Sequence, residues 1–287
     1  MNDHRNAFPH AREDIAKAHE VPDTPQTRSP VYRLAFADAD FMCSRELRGV
    51  RLQLEMTKPE LVMDAEGIES TVVLFGGARV PAPRQLATAR TETLRDLGRF
   101  YDEARRFAHA VTKRGRPGEN VVVTGGGPGV MEAGNRGAEE AGGRSIGLGI
   151  VLPHEQAPNA YVTPELCFNF HYFATRKMQF LIRAAAIAVF PGGFGTLDEL
   201  FETLTLIQTG RMDRVPVLLF GEAFWRSIVD FEALAEAGTI SPEDLDLFAF
   251  VESAEQALEV IDAWPPLPPR DDIPGREDMG GSVREED

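Results

Sequence analysis

The sequence predicts an α/β protein: a Rossmann-like, doubly wound parallel sheet with helices on both faces, preceded by a helical N-terminal extension. Short apolar runs, typical of strands buried on both faces, alternate with longer stretches in which apolar residues recur at helical spacing. A glycine-rich turn follows three of these runs, after Phe75, Thr124 and Phe190. Because alternating strands and helices form parallel sheets with right-handed crossovers, we expect these turns at one edge of the sheet.

Composition limits the kind of protein. The chain has 287 residues, 43% of them hydrophobic, which is enough for a sizeable core. Its net charge of −15 disfavours nucleic acid as a partner. The two cysteines, Cys43 and Cys167, form neither a disulfide framework nor a CxxC metal site and fit a reducing cytoplasm. The first 30 residues lack the apolar core of a signal peptide, and no apolar run approaches the ~20 residues that span a bilayer. We therefore expect a cytoplasmic protein that binds no membrane.

We predict four segments along the chain. Residues 1–30 are polar, contain four prolines and are expected to be flexible. Residues 31–69 form a helical extension, with the best helical pattern over residues 46–56. Residues 70–264 form the main Rossmann-like domain, and residues 265–287 begin with a proline-rich run and are expected to be a disordered acidic tail.

The individual elements follow from the apolar runs and from the glycines and prolines that end them. The predicted strands cover residues 71–75, 120–124, 145–151, 165–170, 186–190, 215–220 and 248–251. The predicted helices cover residues 87–113, 130–141, 173–185, 196–208, 223–237 and 253–263. Pro153 ends the third strand and Pro191 ends the fifth, because proline removes a backbone donor and cannot continue a central strand.

The glycine-rich turns are the first candidate functional feature. Glycine removes the Cβ where a chain turns sharply or approaches a ligand. In open parallel sheets, ligands bind beyond the carboxyl ends of the strands, where helix N-termini offer free N–H groups to anions. One glycine turn is weak support for a site, but three at strand ends favour a nucleotide or a sugar phosphate. The glycines expected to line this site are Gly76, Gly77, Gly126, Gly127, Gly129, Gly192, Gly193 and Gly195.

The turn after the fifth strand allows two interpretations. Pro191 ends the strand, and Thr196 begins a helix with apolar residues at helical spacing. In the structural interpretation, residues 196–199 form a capping box in which Glu199 folds back onto the N-terminal amides. In the functional interpretation, the turn binds an anion at the positive end of the helix dipole.

Two cations open the helix before this strand. Arg176 and Lys177 lie near its N-terminus, where the helix dipole disfavours positive charge by ~0.3–1 kcal/mol. They are either a solvated pair, with the arginine satisfied by a nearby carboxylate, or functional groups that face the site. The helices that begin near Phe173 and Thr196 flank one strand at the same edge of the sheet. Arg176 and Glu199 can therefore approach each other although they are distant in the sequence.

These motifs resemble those of a known family. Residues 191–199, Pro-Gly-Gly-Phe-Gly-Thr-Leu-Asp-Glu, match the PGGxGTxxE signature of the LOG (LONELY GUY) family. The adjacent Arg176 and Lys177 match that family's Arg-Lys pair at the proper spacing, and residues 125–133 match its earlier glycine-rich turn. The resemblance covers roughly residues 71–220, and the chain looks like a longer bacterial member. Many relatives have been labelled lysine decarboxylases.

The resemblance implies an activity and a set of site residues. LOG proteins are phosphoribohydrolases, which cleave the N-glycosidic bond of cytokinin ribotides or AMP to give free base and ribose 5-phosphate. By position, Arg176 and Glu199 are the implied catalytic pair, within a nucleotide-binding catalytic domain over residues 70–264. Besides the glycines, the residues implied to contact the substrate are Glu155, Lys177, Phe194, Thr196, Leu197, Asp198 and Thr205. The family also implies at least a homodimer, formed largely by helices that flank the sheet.

The chain departs from the short plant-like members of this family at two places. Its first glycine turn, residues 76–79, reads Gly-Gly-Ala-Arg where those members have a Cys-Gly-Ser type sequence. Its loop over residues 152–156 also differs from theirs. Both departures affect the side expected to recognise the base, so the choice between AMP and a prenylated adenine nucleotide stays open.

The implied reaction requires neither a metal nor a cofactor. Glycosidic cleavage passes through an oxocarbenium-like transition state, which the Glu199 carboxylate can stabilise while it orients water. The Arg176 guanidinium can hold the phosphate or ribose, or stabilise the departing base. His154 and His171 are isolated and fit structural or solvated roles better than catalysis, and Glu132 fits a charge at a helix start.

Two other functions stay open. A decarboxylase would carry pyridoxal phosphate on a lysine, and Lys177 is the only lysine near the proposed site. A nucleotide or cofactor carrier could share the fold without doing chemistry. The presence of both Arg176 and Glu199 favours an enzyme, because a protein that only binds phosphate needs only the glycine turns.

Overall fold

The computed structural model describes residues 10–153 and 157–264. The chain divides into two compact units, Met1–Lys58 and Pro59–Asp287. This division lies inside the helical extension that we predict over residues 31–69, and the predicted segment boundaries stay predictions. The predicted acidic tail lies outside the described residues, as do residues 1–9 of the predicted flexible segment.

The described part of the first unit is helical and lacks a core of its own. It contains α1 (Ala11–Ala18), α2 (Ala39–Met42) and the first part of α3 (Arg48–Ala65). The Asp38 carboxylate caps α2 by accepting a hydrogen bond from the Asp40 N–H at 3.1 Å. From residue 10 to residue 58 no side chain is buried. The large apolar side chains exposed there are Val21, Val31, Tyr32, Phe36, Phe41, Val50 and Leu54.

The second unit confirms the predicted fold class. Among its described residues it holds a seven-stranded sheet in which every neighbouring pair is parallel. The strands in chain order are β1 (Thr71–Phe75), β2 (Val121–Thr124), β3 (Ser145–Ile150), β4 (Cys167–Phe170), β5 (Ala184–Val189), β6 (Val217–Phe220) and β7 (Ala249–Val251). Their spatial order is β4-β3-β2-β1-β5-β6-β7. The winding direction reverses between β1 and β5, which opens a crevice at their carboxyl ends.

Helices cover both faces of this sheet. They are α4 (Glu92–Asp96), α5 (Arg99–Arg114), α6 (Val130–Glu140), α7 (Phe173–Leu181), α8 (Phe194–Gln208), α9 (Glu222–Ile228), α10 (Phe231–Glu236) and α11 (Ala254–Ala263). On one face, Val72 and Leu74 of β1 pack in a buried cluster with residues of α5, α6 and α11. On the other face, Val73 and Phe75 pack with residues of α7 to α10. The alternation along β1 places successive side chains on opposite faces, as a strand buried on both sides requires.

Three predicted helices were wrong in extent. The helix predicted over residues 87–113 is two helices, α4 and α5, and the first begins only at Glu92, where Thr91 caps it by accepting a hydrogen bond from the Leu94 N–H at 3.1 Å. The helix predicted over residues 173–185 ends at Leu181, because the chain then joins β5 of the sheet.

The third helix, predicted over residues 223–237, is two helices, α9 and α10. Asp230 interrupts it and caps α10 by accepting a hydrogen bond from the Ala233 N–H at 2.9 Å. Among the described residues, no helix combines the length and the apolar character needed to cross a membrane.

Candidate active site

The three glycine-rich turns meet at the carboxyl edge of the sheet, around Gly77. The Gly77 N–H donates to the Pro191 carbonyl at 3.0 Å, and its carbonyl accepts from the Val130 N–H at 3.3 Å. A Cβ on Gly129 would lie 2.4 Å from the Gly77 oxygen, and one on Gly192 would lie 3.0 Å from the Gly77 nitrogen. Gly129 and Gly192 are therefore required by the packing of the turns against each other, before any ligand is considered.

The start of α8, in contrast, faces open space. A Cβ on Gly193 or on Gly195 would meet no atom within 4 Å, and Phe194 is 92% exposed. Gly193 is the N-cap of α8 and supplies no side chain to cap it. The Gly193 carbonyl accepts from the Leu197 N–H at 3.0 Å, so the amides that precede Leu197 lie outside the hydrogen-bonding pattern of the helix. This terminus can receive an anion.

The capping box that we considered for residues 196–199 is wrong. It requires a Thr or Ser at the N-cap and a Glu three residues later, whereas the N-cap here is Gly193. Thr196 is already inside the helix, and Glu199 lies beyond the first turn, where its carboxylate cannot reach the N-cap amide. Both Thr196 and Glu199 are buried, so the polar positions of this stretch point into the protein rather than cap the helix.

Glu199 is a buried carboxyl among four charged groups. Its residue is 8% exposed, and this burial raises the pKa of its carboxyl to about 7. The positive charges of Arg176 and Lys177 act in the opposite direction and lower this pKa, while the negative charges of Glu202 and Asp198 raise it. The structure thus brings Glu199 within electrostatic range of Arg176, and the carboxyl changes its protonation state near neutral pH.

Arg176 reaches from α7 to the second glycine turn, residues 125–129. Its Nε donates to the Leu148 carbonyl of β3 at 2.7 Å. A Cβ on Gly125 would lie 2.7 Å from the Arg176 Nη2, so the guanidinium lies directly against the backbone of this turn. The guanidinium carbon also lies 5.2 Å from the centroid of the Phe180 ring. These contacts define one position for the side chain at the same edge as Glu199.

Lys177 joins α7 to α8 through two ion pairs. Its Nζ lies 2.7 Å from the Asp198 Oδ2 and 3.1 Å from the Glu202 Oε2, and its side chain is 17% exposed. Burial alone lowers the pKa of Lys177, but the hydrogen bonds to Asp198 and Glu202 outweigh it and the net shift is upward. The alternative of a solvated pair of cations therefore does not describe Lys177, which stays protonated and paired.

The structure does not bring all of the other predicted site residues to the glycine turns. Leu197 packs partly into the core beneath α8. Thr205 is exposed, donates to the Phe201 carbonyl at 2.7 Å, and lies roughly 16 Å along the helix from its start, so this chain does not bring it to the turns. Glu155 and His154 lie outside the described residues.

Glu132 has structural partners. It accepts a hydrogen bond from the Tyr101 hydroxyl at 2.8 Å and lies 3.3 Å from the Arg84 guanidinium. Burial and this hydrogen bond raise the pKa of Tyr101 to about 12, so the tyrosine remains a donor to the carboxylate. These contacts support our interpretation of Glu132 as a charge at a helix start rather than a catalytic group.

Sequence reasoning missed a polar network behind the second glycine turn. It contains Thr124, Asn135 and Asn159, joined by hydrogen bonds between 2.7 and 2.9 Å. One signal was available in the sequence: Asn135 shares a helical face with Met131 and Ala138, where an apolar residue is the ordinary choice. Asn159 gave no signal, because a loop asparagine is common.

A cavity of about 780 Å³ lies at the opposite edge of the sheet. Ser70, Ile182 and Ala184 line it beside the amino ends of β1 and β5, and none of the predicted site residues does. Among the described residues, no group of three or more His, Cys, Asp or Glu side chains is arranged to hold a metal ion. The candidate site is therefore the crevice at the carboxyl edge, built from the glycine turns, Arg176 and Glu199.

Comparison with known proteins identifies relatives of the chain. Residues 131–261 match the family described as "Possible lysine decarboxylase". The chain is 25% identical over 151 residues to cytokinin riboside 5′-monophosphate phosphoribohydrolase LOG5 of Arabidopsis thaliana, a match that covers 52% of this chain and 65% of that protein. It is 26% identical over 178 residues to LOG2 of the same plant, which covers 61% of this chain and 79% of that protein. The chain thus spans a little less than two thirds of the length of LOG5.

A solved structure of similar topology is the molybdenum cofactor binding protein from the phototrophic bacterium Rippkaea orientalis. Its TM-score to this chain is 0.44 at 20% sequence identity, and the match covers 68% of this chain and 96% of that chain. A structural similarity with so low a TM-score and sequence identity gives no information about what this chain binds.

Proposed function

Since the chain belongs to the LOG family, we propose that it hydrolyses the N-glycosidic bond of a purine nucleoside 5′-monophosphate to give free base and ribose 5-phosphate. The observation that supports this most directly is the buried Glu199, whose carboxyl has a pKa of about 7 and lies near Arg176 and Lys177. The relatives that match the chain are named for cytokinin riboside 5′-monophosphates. AMP and a prenylated AMP are therefore the two substrates to compare.

The 5′-phosphate is proposed to bind at the start of α8. The amides of Phe194 and Gly195 precede the first hydrogen bond of the helix, and the space around Gly193 and Gly195 is open. A phosphate there gains charge-assisted hydrogen bonds and the favourable end of the helix dipole. The ribose then extends toward Glu199, one turn further along the helix and on its buried side.

The proposed chemistry uses one carboxylate and one guanidinium. As the bond between C1′ and the base nitrogen breaks, its electron pair leaves with the base and the ribose gains oxocarbenium character. The Glu199 carboxylate stabilises this positive charge and accepts a proton from the water that attacks C1′. That proton balances the one that the departing base takes up. Arg176, whose Nε donates to the Leu148 carbonyl, is proposed to stabilise negative charge on the base or to hold the ribose phosphate.

The contacts of Lys177 argue against the decarboxylase alternative. A lysine that forms a Schiff base needs a lowered pKa, so that its amine is free to attack. Lys177 has a raised pKa and two carboxylate partners. A carrier without catalysis remains the competing proposal, since the glycine turns alone would bind a phosphate.

The test is release of free base from AMP and from prenylated AMP, quantified by chromatography. We expect Glu199→Gln and Arg176→Ala each to lower turnover of the preferred nucleotide by roughly 10²-fold or more, on the scale of positioned acid–base and electrostatic groups. Glu132→Gln is the matched control, because it neutralises a carboxylate whose partners are Tyr101 and Arg84, and we expect near wild-type turnover. Tight binding of nucleotide without any base release would favour the carrier, and a folded Glu199→Gln protein with full turnover would end the catalytic assignment.

A further inference from the structure

A buried polar network ties the second glycine turn, residues 125–129, to the rest of the domain. Thr124 Oγ1 accepts a hydrogen bond from the Gly126 N–H at 2.9 Å and donates one to Asn135 Oδ1 at 2.7 Å. Asn135 Nδ2 in turn donates to Ser145 Oγ at 3.0 Å. Thr124, Asn135 and Ser145 are all buried. Because a buried amide is costly unless its partners are supplied, the network holds Asn135 in one arrangement.

Asn159 completes the network from the loop after β3. Its Nδ2 donates to Asn135 Oδ1 at 2.9 Å and to the Gly127 carbonyl at 3.0 Å. Its backbone N–H donates to the Gly126 carbonyl at 2.8 Å. Because a trans peptide carries its C=O and N–H in opposite directions, the bond to the Gly126 carbonyl turns the Gly127 N–H away from Asn159. The network thus holds the turn on the side of Asn159, and the Gly127 N–H points to the opposite side of the turn.

The same turn also borders the Arg176 guanidinium. The guanidinium lies against Gly125, whose Cβ position is 2.7 Å from the Arg176 Nη2. The Arg176 Nε is fixed to the Leu148 carbonyl, so the guanidinium fills the space between β3 and the turn. If the turn relaxed by about 1 Å, the guanidinium would lose one of the two backbone surfaces between which it lies. A displacement of about 1 Å costs roughly 10²-fold in rate.

We propose that Asn135 and Asn159 are positioning residues for the proposed hydrolysis. They hold the second glycine turn in the conformation that fixes Arg176 and that presents the Gly127 N–H away from the network. Packing alone does not require them, because an apolar side chain on α6 would cover β2 and β3 without any bond to the turn. This inference rests on the proposed function, since Arg176 is the catalytic group through which the two asparagines act.

The test uses Asn159→Ala, because Asn159 is half-buried in a loop and its loss leaves the core intact. The substitution removes both side-chain bonds to the network and the bond from the Tyr161 N–H to Asn159 Oδ1 at 3.1 Å, and it keeps the backbone bond to Gly126. We expect kcat for the preferred nucleotide to fall about tenfold or more with little change in melting temperature. Ser70→Ala is the matched control, since it removes one bond of similar geometry, from the Asn120 N–H at 2.9 Å, at the opposite edge of the sheet. We expect it to leave turnover unchanged.

A double-mutant cycle separates positioning from a general loss of stability. Arg176→Lys keeps the charge but loses the planar fork that reaches the turn. If Asn159 acts through Arg176, the double variant loses less activity than the product of the two single losses. Independent, multiplicative losses, or a wild-type kcat in Asn159→Ala, would overturn the proposal.

A binding measurement keeps this inference distinct from the proposed function. Ribose 5-phosphate is titrated calorimetrically into wild type, Asn159→Ala and Ser70→Ala. If wild type releases no base but binds ribose 5-phosphate, and Asn159→Ala alone binds it at least tenfold more weakly, the hydrolase proposal fails while the positioning role stands. If wild type binds ribose 5-phosphate but has no turnover, equal affinity in all three proteins rejects the positioning role, and a wild type that neither binds nor turns over rejects both proposals.

Discussion

The protonation of Glu199 is the property of a single residue that most directly links this structure to the proposed reaction. Burial raises the pKa of its carboxyl to about 7, and the proposed mechanism uses the ionised form. We therefore expect kcat to rise with pH and to level off above about 7. The second pKa of a phosphate monoester lies near 6, so the substrate can contribute a rise of its own at lower pH.

Glu202→Gln distinguishes the two titrating groups. The Glu202 carboxylate raises the pKa of Glu199, so its removal is expected to shift the midpoint of the rise to lower pH. The substitution also leaves Lys177 with Asp198 as its remaining partner, which strengthens the same direction of shift. A midpoint that stays fixed in Glu202→Gln would assign the rise to the substrate phosphate. A decrease of kcat above pH 7 would instead indicate that Glu199 acts as an acid.

The same raised pKa predicts how the stability of the fold depends on pH. Between the ordinary carboxyl value of 4.5 and the raised value of about 7, the folded state binds a proton at Glu199 that the unfolded state has lost. Stability from this residue is therefore present below pH 4.5, falls as pH rises through this window, and is constant above it. Glu199→Gln has no carboxyl to ionise, so its free energy of unfolding does not fall in this window. Relative to wild type, this free energy should increase by up to about 3 kcal/mol between pH 4.5 and pH 8. Urea unfolding of both proteins at the two pH values measures this difference, and an equal difference at both would contradict it.

The sequence identified Arg176 and Glu199 as a possible pair but could not reveal their environments. A motif states which residue types occur, whereas the burial of Glu199 arises only in the folded chain, where α8 packs on the sheet. The partners of Lys177, Asp198 and Glu202, lie on a different helix, so the pairing depends on how the two helices are placed. The role of Asn159 depends likewise on a loop whose path no local pattern predicts.

At the scale of the element, the start of α8 offers a test of where the phosphate binds. Gly195 lies inside the helix, has no atom near its Cβ position, and does not have a positive φ. Replacing such a glycine by alanine stabilises a helix by roughly 0.5–1 kcal/mol. Gly195→Ala should therefore raise the melting temperature slightly, yet lower turnover at least tenfold because the new methyl occupies the proposed phosphate space. Turnover equal to that of wild type would show that the phosphate does not bind at this helix terminus.

Gly129→Ala gives the opposite pattern and serves as the contrast. Its φ of +69° and the Gly77 oxygen at 2.4 Å from its Cβ position make any side chain there strained. We expect this variant to unfold at a clearly lower temperature, because a φ of +69° with a ψ of −129° is a backbone conformation that glycine adopts far more readily than alanine. A glycine that serves packing and a glycine that serves ligand binding can thus be separated by comparing stability with turnover.

The elements themselves were predictable where one local signal dominated. Apolar runs followed by a glycine-rich turn marked β1, β2 and β5, because strands buried on both faces leave little room for polar residues. The boundary between α7 and β5 was not predictable, since residues 182–186 contain several alanines that suit a helix equally well. Pairing with β1 decides it: the Thr71 N–H donates to the Arg183 carbonyl at 2.8 Å, a contact between segments far apart in the sequence.

At the scale of the whole molecule, the sequence predicted parallel strands but not their order. Alternating strands and helices require crossovers, and crossovers require a parallel sheet, yet many strand orders satisfy this rule. The observed order places β1 between β2 and β5, so the turns that follow these three strands become neighbours. The candidate site is therefore a consequence of the strand order, since the three glycine turns form one crevice only when their strands are neighbours.

The apolar surface of α7 and α8 predicts self-association of the chain. Met178 and Ile182, four residues apart and so on one helical face, are 54% and 41% exposed. Phe173 and Phe201 on the same two helices are also exposed. We propose that a second copy covers this surface, because several exposed apolar side chains on the same helices favour an interface. Light scattering at micromolar concentration should then return at least twice the chain mass of 31.6 kDa.

Met178→Glu tests whether this surface, rather than another, mediates the assembly. A carboxylate at a position that becomes buried between two apolar faces is costly without a partner, so the variant should scatter as a single chain of 31.6 kDa while keeping its helical circular dichroism. Ile228→Glu on α9 is the matched control, because it places the same charge on a residue that is 46% exposed and lies outside α7 and α8. We expect it to keep the wild-type mass. A wild type that scatters as a single chain would reject the assembly. A Met178→Glu protein that retains the higher mass would show that the interface lies on another surface.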